Sequence, residues 1–255
     1  MKNLLFIGDV VGKSGCDFLA EKFPQIKRKY NIDIAVVNAE NSARGNGLSK
    51  VSAESVINAG ADVITTGNHA FRQMKDLDIY NRDYILRPAN YPDGCTGKGV
   101  CLLDMGAYSV AVINIMGTAF LEPIDNPFNK MDEILKEIHT KNIFVDFHAE
   151  ATSEKKAMGY YLSGRVSGVF GTHTHVQTAD ETIIKNHTAY ITDAGMTGVE
   201  ESCLGVSVWS AVERMRFHMP VKFSEAEGAC FLCGVVVEFD EKTGKSHKIQ
   251  RIIIR

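Results

Sequence analysis

Five apolar runs in this chain, each short enough for a strand, stop at side chains able to hold a metal ion. "NLLFIG" runs into Asp9 and "DIAVV" into Asn38-Ala39-Glu40-Asn41. "DVITTG" meets Asn68-His69, "NIFV" meets Asp146-Phe147-His148, and "VSGVFGT" meets His173-Thr174-His175. Between these runs lie helical stretches: "SGCDFLAEKFPQIKRKY", which Pro24 is placed to kink, "SKVSAESVINAGA", closed by Gly60, then "KMDEILKEI" and "SEKKAMGYYLSG". Strands alternating with helices imply βαβ units and a largely parallel sheet. In such sheets ligands collect beyond the carboxyl ends of the strands. All five polar sets fall there.

The remaining pattern is β-rich. "KGVCLLDMGAYSVAVINIMG" reads as two strands joined at Met105-Gly106-Ala107. The tail "GACFLCGVVVEFDEKTGKSHKIQRIIIR" reads as a hairpin turning at Glu241-Lys242-Thr243-Gly244. We read residues 1–255 as a single domain of α/β class, with two stacked sheets and helices outside. Trp209 is expected in the core, and His218 is expected to be structural.

The donor set is informative. Carboxylates, amide oxygens and imidazoles together suit borderline divalent metals such as Mn, Fe, Co or Zn and suit Ca less well. Four of the eight histidines sit at these strand ends. Each set alone has an ordinary explanation. A histidine pair can cap a sheet, Asn68-His69 can make a turn, and Asp9 or Glu40-Asn41 can cap a helix. Taken together, those explanations require five independent caps converging on one edge. Two ions sharing a carboxylate would clamp a phosphoryl group for in-line displacement.

A competing use of the N-terminus is phosphate binding. "GDVVGKS" (Gly8 to Ser14) approaches the phosphate-cradling loop GxxxxGK[ST] but is one residue short. Asp9 would also place a negative charge at the mouth of an anion site. That reading gives no work to Glu40, Asn68, His69, His148, His173 or His175. Arg44 and Arg72 lie near the strand ends in sequence and are candidates to meet phosphate.

The charge balance, 28 Lys and Arg against 31 Asp and Glu, excludes an extended basic groove for long nucleic acid. It leaves room for a small nucleotide. No run approaches a membrane span and no charged-then-apolar leader opens the chain, so a cytoplasmic location and no membrane partner are expected. The six cysteines then read as reduced thiols. Cys230 and Cys233 have CxxC spacing inside a strand-like stretch, without a matching second pair, and read as strand thiols.

Five blocks carry a resemblance: "FIGDVVG", "NAENSARGNGLS", "TTGNHAF", "DFHAEATSEK" and "GTHTHVQTAD". In this order they resemble the YmdB-like family of calcineurin-like metallophosphoesterases, of the 2′,3′-cyclic-nucleotide 2′-phosphodiesterase type. "DAGMTG" and "GVSVWSAVERM" resemble its C-terminal part. The resemblance implies a four-layer α/β/β/α sandwich with a dinuclear centre. Asp9, Glu40, Asn41 and His175 would hold one ion; Glu40, Asn68, His148 and His173 the other, so that Glu40 bridges. It implies in-line attack on phosphorus by a hydroxide shared between the ions, with His69 as proton donor. The substrates implied are 2′,3′-cyclic nucleotides and 3′,5′-cyclic AMP; a homo-oligomer is implied too. The broader superfamily opens with D-x-H, whereas Asp9 is followed by Val10-Val11, and Glu40-Asn41 replaces its usual aspartate. With fewer nitrogen ligands, iron or manganese, divalent or mixed-valence, becomes as apt as zinc. The alternatives are a P-loop-like nucleotide hydrolase built on GDVVGKS and a non-catalytic sensor of metal or nucleotide.

Overall fold

The structure, a computed structural model, describes residues 1–44 and 46–255. Strand β1 (Lys2–Ile7) explains why its run is unbroken. Leu4 and Phe6 point into an apolar layer between two sheets, while Leu5 and Ile7 point into a layer beneath helices. Strand β3 (Ile34–Asn38) repeats this, with Ile34 and Val36 on one side and Ala35 and Val37 on the other. A strand buried on both faces has no polar alternation to show.

The first sheet is seven-stranded. β1, β3 and β4 (Val63–Thr65) are parallel neighbours. β12 (Cys230–Phe239) runs antiparallel to β1, and β13 (Ser246–Ile254) antiparallel to β12. β11 (Met196–Val199) continues the sheet beyond β12, and β2 (Asp9–Val10) closes it. The second sheet orders β5 (Val100–Asp104), β6 (Ser109–Met116), β7 (Asn142–His148), β8 (Gly168–Thr172), β10 (Thr188–Ile191) and β9 (Thr182–Ile184). Its central β6, β7, β8 and β10 are parallel, and its edges antiparallel. Helices α1 (Gly12–Lys29) and α2 (Lys50–Ala59) cover the first sheet; α3 (Pro127–Glu137) and α4 (Thr152–Leu162) cover the second. Between the sheets the rings of Phe6 and Phe170 lie 4.9 Å apart, and those of Phe144 and Phe239 5.0 Å. The α/β/β/α sandwich expected from the sequence is therefore present, with both sheets mixed rather than largely parallel.

Other departures have local causes. α1 begins at Gly12 and runs through Pro24, because Leu19, Phe23 and Ile26 anchor it to the sheet on both sides of that residue. The structure adds a 3-10 helix over Met74–Asn81 and helix α5 (Val208–Phe217). Trp209 is not in the core. It is 69% exposed, because α5 turns its small Ser210 and Ala211 inward and its large side chains outward. His218 is exposed as well and ends α5 in the left-handed region, at φ +53°. Cys233 is buried and Cys230 only partly so. Three apart on one strand, they face opposite sides of the sheet. Among the described residues no helix is long and apolar enough to cross a membrane.

Candidate metal centre

Every polar set foreseen at a strand end reaches one seam, where the carboxyl edges of the two sheets meet. Asp9, Glu40, Asn41, Asn68 and His69 arrive from the first sheet; His148, His173 and His175 arrive from the second. The hub is Glu40, fully buried. Its Oε1 lies 3.0 Å from His69 Nδ1 and 3.2 Å from His148 Nε2. Neither ring nitrogen is aligned as a donor, so this buried oxygen has no hydrogen-bond partner. His148 Nε2 is also 3.0 Å from Asn68 Oδ1 and 3.1 Å from His173 Nδ1. Glu40, His148 and His173 offer ligand atoms that all lie within 4.8 Å of one another.

A second cluster adjoins the first. Asp9 Oδ1 is 3.6 Å from His175 Nε2, and Asn41 Nδ2 is 3.2 Å from the same nitrogen. Asn41 Oδ1 meets His69 Nδ1 at 3.0 Å. As assigned, Asn41 shows Nδ2 to Asp9 and His175, and ligation between those two residues requires the amide turned over.

The charges respond to this crowding. Burial pushes the Asp9 carboxyl up, but His175 and then His148 outweigh it and hold Asp9 below its ordinary value. Glu40 is likewise lowered against its burial by His148 and His69. Burial opposes the charged form of His148, yet Glu40, Asp9 and Asp146 raise it to about 9. His175 is raised against its burial by Asp9. His173 is depressed to about 4 by burial and by the neighbouring His148.

Supporting side chains fix which nitrogen faces inward. Thr172 Oγ1 donates to Asp146 Oδ1 at 2.7 Å, so its lone pair is left to accept from His148 Nδ1–H at 2.9 Å. Once His148 is neutral, that tautomer turns its Nε2 lone pair to the seam. His173 is turned the other way: its Nε2 meets Glu150 at 3.0 Å and its Nδ1 faces inward. Metal-ligating imidazoles commonly carry such a carboxylate or hydroxyl behind them.

The donor set fits a cation. A buried, unpartnered carboxylate oxygen faces imidazole nitrogens and an amide oxygen, and Gly67 keeps the space open. A Cβ at Gly67 would collide with Glu40 Oε2 and with His148 Nε2.

The GDVVGKS turn is committed largely to backbone pairing rather than left open for phosphate. The N–H groups of Gly8, Asp9, Val11 and Gly12 already donate to Cys233, Gly195, Thr197 and Asn41 carbonyls. Lys13 is 84% exposed and pairs with Asp17. Arg44 and Arg72 are exposed.

The sequence placed Asn38 and Asp146 at strand ends but did not show that they support the cluster from beneath. Asn38 and Thr65 join Thr172 in donating to Asp146, whose buried carboxyl is raised to about 6 by burial, against those bonds and His148. The signal was a carboxylate at the core-facing register of "IFVDF". Lys155 gave no signal at all.

A family model described as YmdB-like protein matches residues 5–252. The chain is 47% identical over 254 residues to a 2′,3′-cyclic-nucleotide 2′-phosphodiesterase of Bacillus subtilis (strain 168), covering 98% of this chain and 96% of that protein. It is 37% identical to a hypothetical protein from Thermus thermophilus, whose crystal structure superposes with a TM-score of 0.94 over 99% of this chain and 98% of that one. A crystal structure of a novel phosphatase from Mycoplasma pneumoniae is 34% identical, with a TM-score of 0.95 over 99% of this chain and 93% of that one. With this extent of match along the chain, and with the same sandwich in its solved relatives, the protein belongs to the YmdB-like family.

Proposed function

We propose that this protein is a phosphodiesterase that uses two divalent transition-metal ions to hydrolyse 2′,3′-cyclic nucleotides, with 3′,5′-cyclic AMP as a second candidate substrate. The observation that carries the reading is Glu40 Oε1, buried and unpartnered, between His69 Nδ1 and His148 Nε2. The specificity of the Bacillus subtilis relative supports the substrate class.

Asp9, Glu40, Asn41 and His175 would hold one ion, and Glu40, Asn68, His148 and His173 the other. Bound there, the ions would supply positive charge for the phosphoryl oxygens and lower the pKa of water toward neutrality. Iron or manganese suits this mixed shell as well as zinc does.

The side chains supply the rest. His69 is 19% exposed while Glu40 is fully buried, so its ring links the buried hub to solvent. Its Nδ1 is turned toward Asn41 and toward Glu40 Oε1, each 3.0 Å away, so Nε2 is the nitrogen left to give a proton to the leaving alkoxide. Asn38 Oδ1 accepts the Glu40 N–H at 3.1 Å, and the His173 N–H donates to Asp9 Oδ2 at 3.1 Å. These bonds hold the reacting geometry rigid.

The test is elemental analysis of protein loaded with Mn²⁺, followed by turnover of 2′,3′-cyclic AMP, 3′,5′-cyclic AMP and bis(p-nitrophenyl) phosphate. About two ions per chain and hydrolysis of the 2′,3′-cyclic substrate are expected. Retained metal without turnover of any diester would reject the enzyme in favour of a sensor.

A further inference from the structure

The two histidines of the His173-Thr174-His175 turn have backbones that ordinary residues avoid. His173 has φ +100° and His175 φ +64°. Left-handed conformations cost a non-glycine residue of order 1–3 kcal/mol each and persist only where the surroundings over-determine them. What over-determines this turn is visible at its middle residue. Thr174 donates its N–H to Asp193 Oδ2 at 3.1 Å and its Oγ1–H to the same oxygen at 2.7 Å. Lys155 Nζ, from α4, reaches that oxygen at 2.7 Å, and the Gly195 N–H reaches Oδ1 at 2.9 Å. Asp193 is fully buried and Lys155 only 1% exposed. A buried ion pair of this kind is costly to assemble, and neither residue touches the ligand cluster directly.

We propose that Asp193, anchored by Lys155, is a positioning residue that acts through Thr174 to set both halves of the metal centre at once. The inference rests on the metal-dependent reading above. The turn places His173 Nδ1 beside His148 on one side and His175 Nε2 beside Asp9 on the other. If the clamp on Thr174 is released, both histidines relax toward ordinary backbone together. The two ions then weaken in parallel. Removal of a single ligand, as in His175→Ala, affects chiefly one.

Thr174→Val tests this by deleting the hydroxyl donor while keeping the N–H bond and the side-chain volume. Thr174→Ser restores the donor. Thr174→Ala replaces the valine variant should valine not fold. The readout is Mn²⁺ affinity and stoichiometry by calorimetry, with circular dichroism as the check on folding. The expected result is folded Thr174→Val in which both ions bind ~10–100-fold more weakly, with wild-type affinity regained in Thr174→Ser. Unchanged affinity in folded Thr174→Val, loss confined to one ion, or loss that serine does not repair would each overturn the proposal. A wild-type protein that takes up no Mn²⁺ would instead reject the metal-centre reading itself, and this inference with it.

Discussion

Asn38 and Asp146, 108 residues apart in the chain, share a 2.9 Å hydrogen bond across the seam of the two sheets. Both are buried, and both lie directly beneath ligands: Asn38 Oδ1 holds the Glu40 N–H, while Asp146 holds Thr172 and through it His148. Asn38→Ala leaves one buried acceptor and one buried donor short, at a cost of roughly 2 kcal/mol. Asn38→Asp sets a second carboxylate against Asp146 and should cost more. Urea titration at neutral pH reads both; an Asn38→Asp variant as stable as wild type would refute this account of the seam.

His69 meets Glu40 Oε1 through Nδ1 while its ring keeps some exposure to solvent. His69→Ala is expected to keep metal content near wild type while losing ~10²–10⁴-fold in diester turnover. Turnover with a good leaving group, such as p-nitrophenolate, should fall less, because that group needs no proton. Equal losses on both substrates would remove His69 from the donor role.

Gly67→Ala changes no ligand. Its new methyl would occupy the space between Glu40 Oε2 and His148 Nε2. The backbone is not left-handed there, but the methyl forces Glu40 or His148 to shift, so a variant shown to be folded by circular dichroism should lose bound metal as completely as Glu40→Ala. Full metal occupancy in Gly67→Ala, measured by elemental analysis, would mean that the ions sit elsewhere.

Metal uptake should release protons. In the metal-free protein the carboxylates around His148 raise it to about 9, and Asp9 raises His175 in the same direction. Coordination requires neutral rings. The protons therefore leave on binding at any pH below these raised values, and the release fades above about 9. Near neutrality the calorimetric heat of Mn²⁺ binding should vary with the ionisation enthalpy of the buffer, and affinity should rise with pH. Heats independent of the buffer would show that His148 is not displaced from its protonated form.

Much of the polar cluster was legible because strands end abruptly. An apolar run buried on both faces can change to Asp, Asn or His only where the layers stop, so the polar set marks the sheet edge. The closing hairpin was legible from Gly244, which the structure places at φ +75°. What stayed hidden was held by long-range contact. Asp193 and Lys155 look in sequence like an ordinary loop acid and helix base, and only the fold brings them to 2.7 Å. Trp209 misled because a large aromatic is usually buried, whereas α5 meets the protein through its smallest residues.

The division of the cluster between the two sheets also dictates an order of events during synthesis. Asp9 and Glu40 are among the first acids to emerge, and both end fully buried. The imidazoles that chiefly offset those charges, His148 and His175, come more than a hundred residues later. Until then, closing the first sheet over Asp9 and Glu40 would entomb two carboxylates with little to compensate them. The early strands are thus expected to stay open to water while the ribosome works through the second sheet, with the seam among the last parts of the molecule to shut.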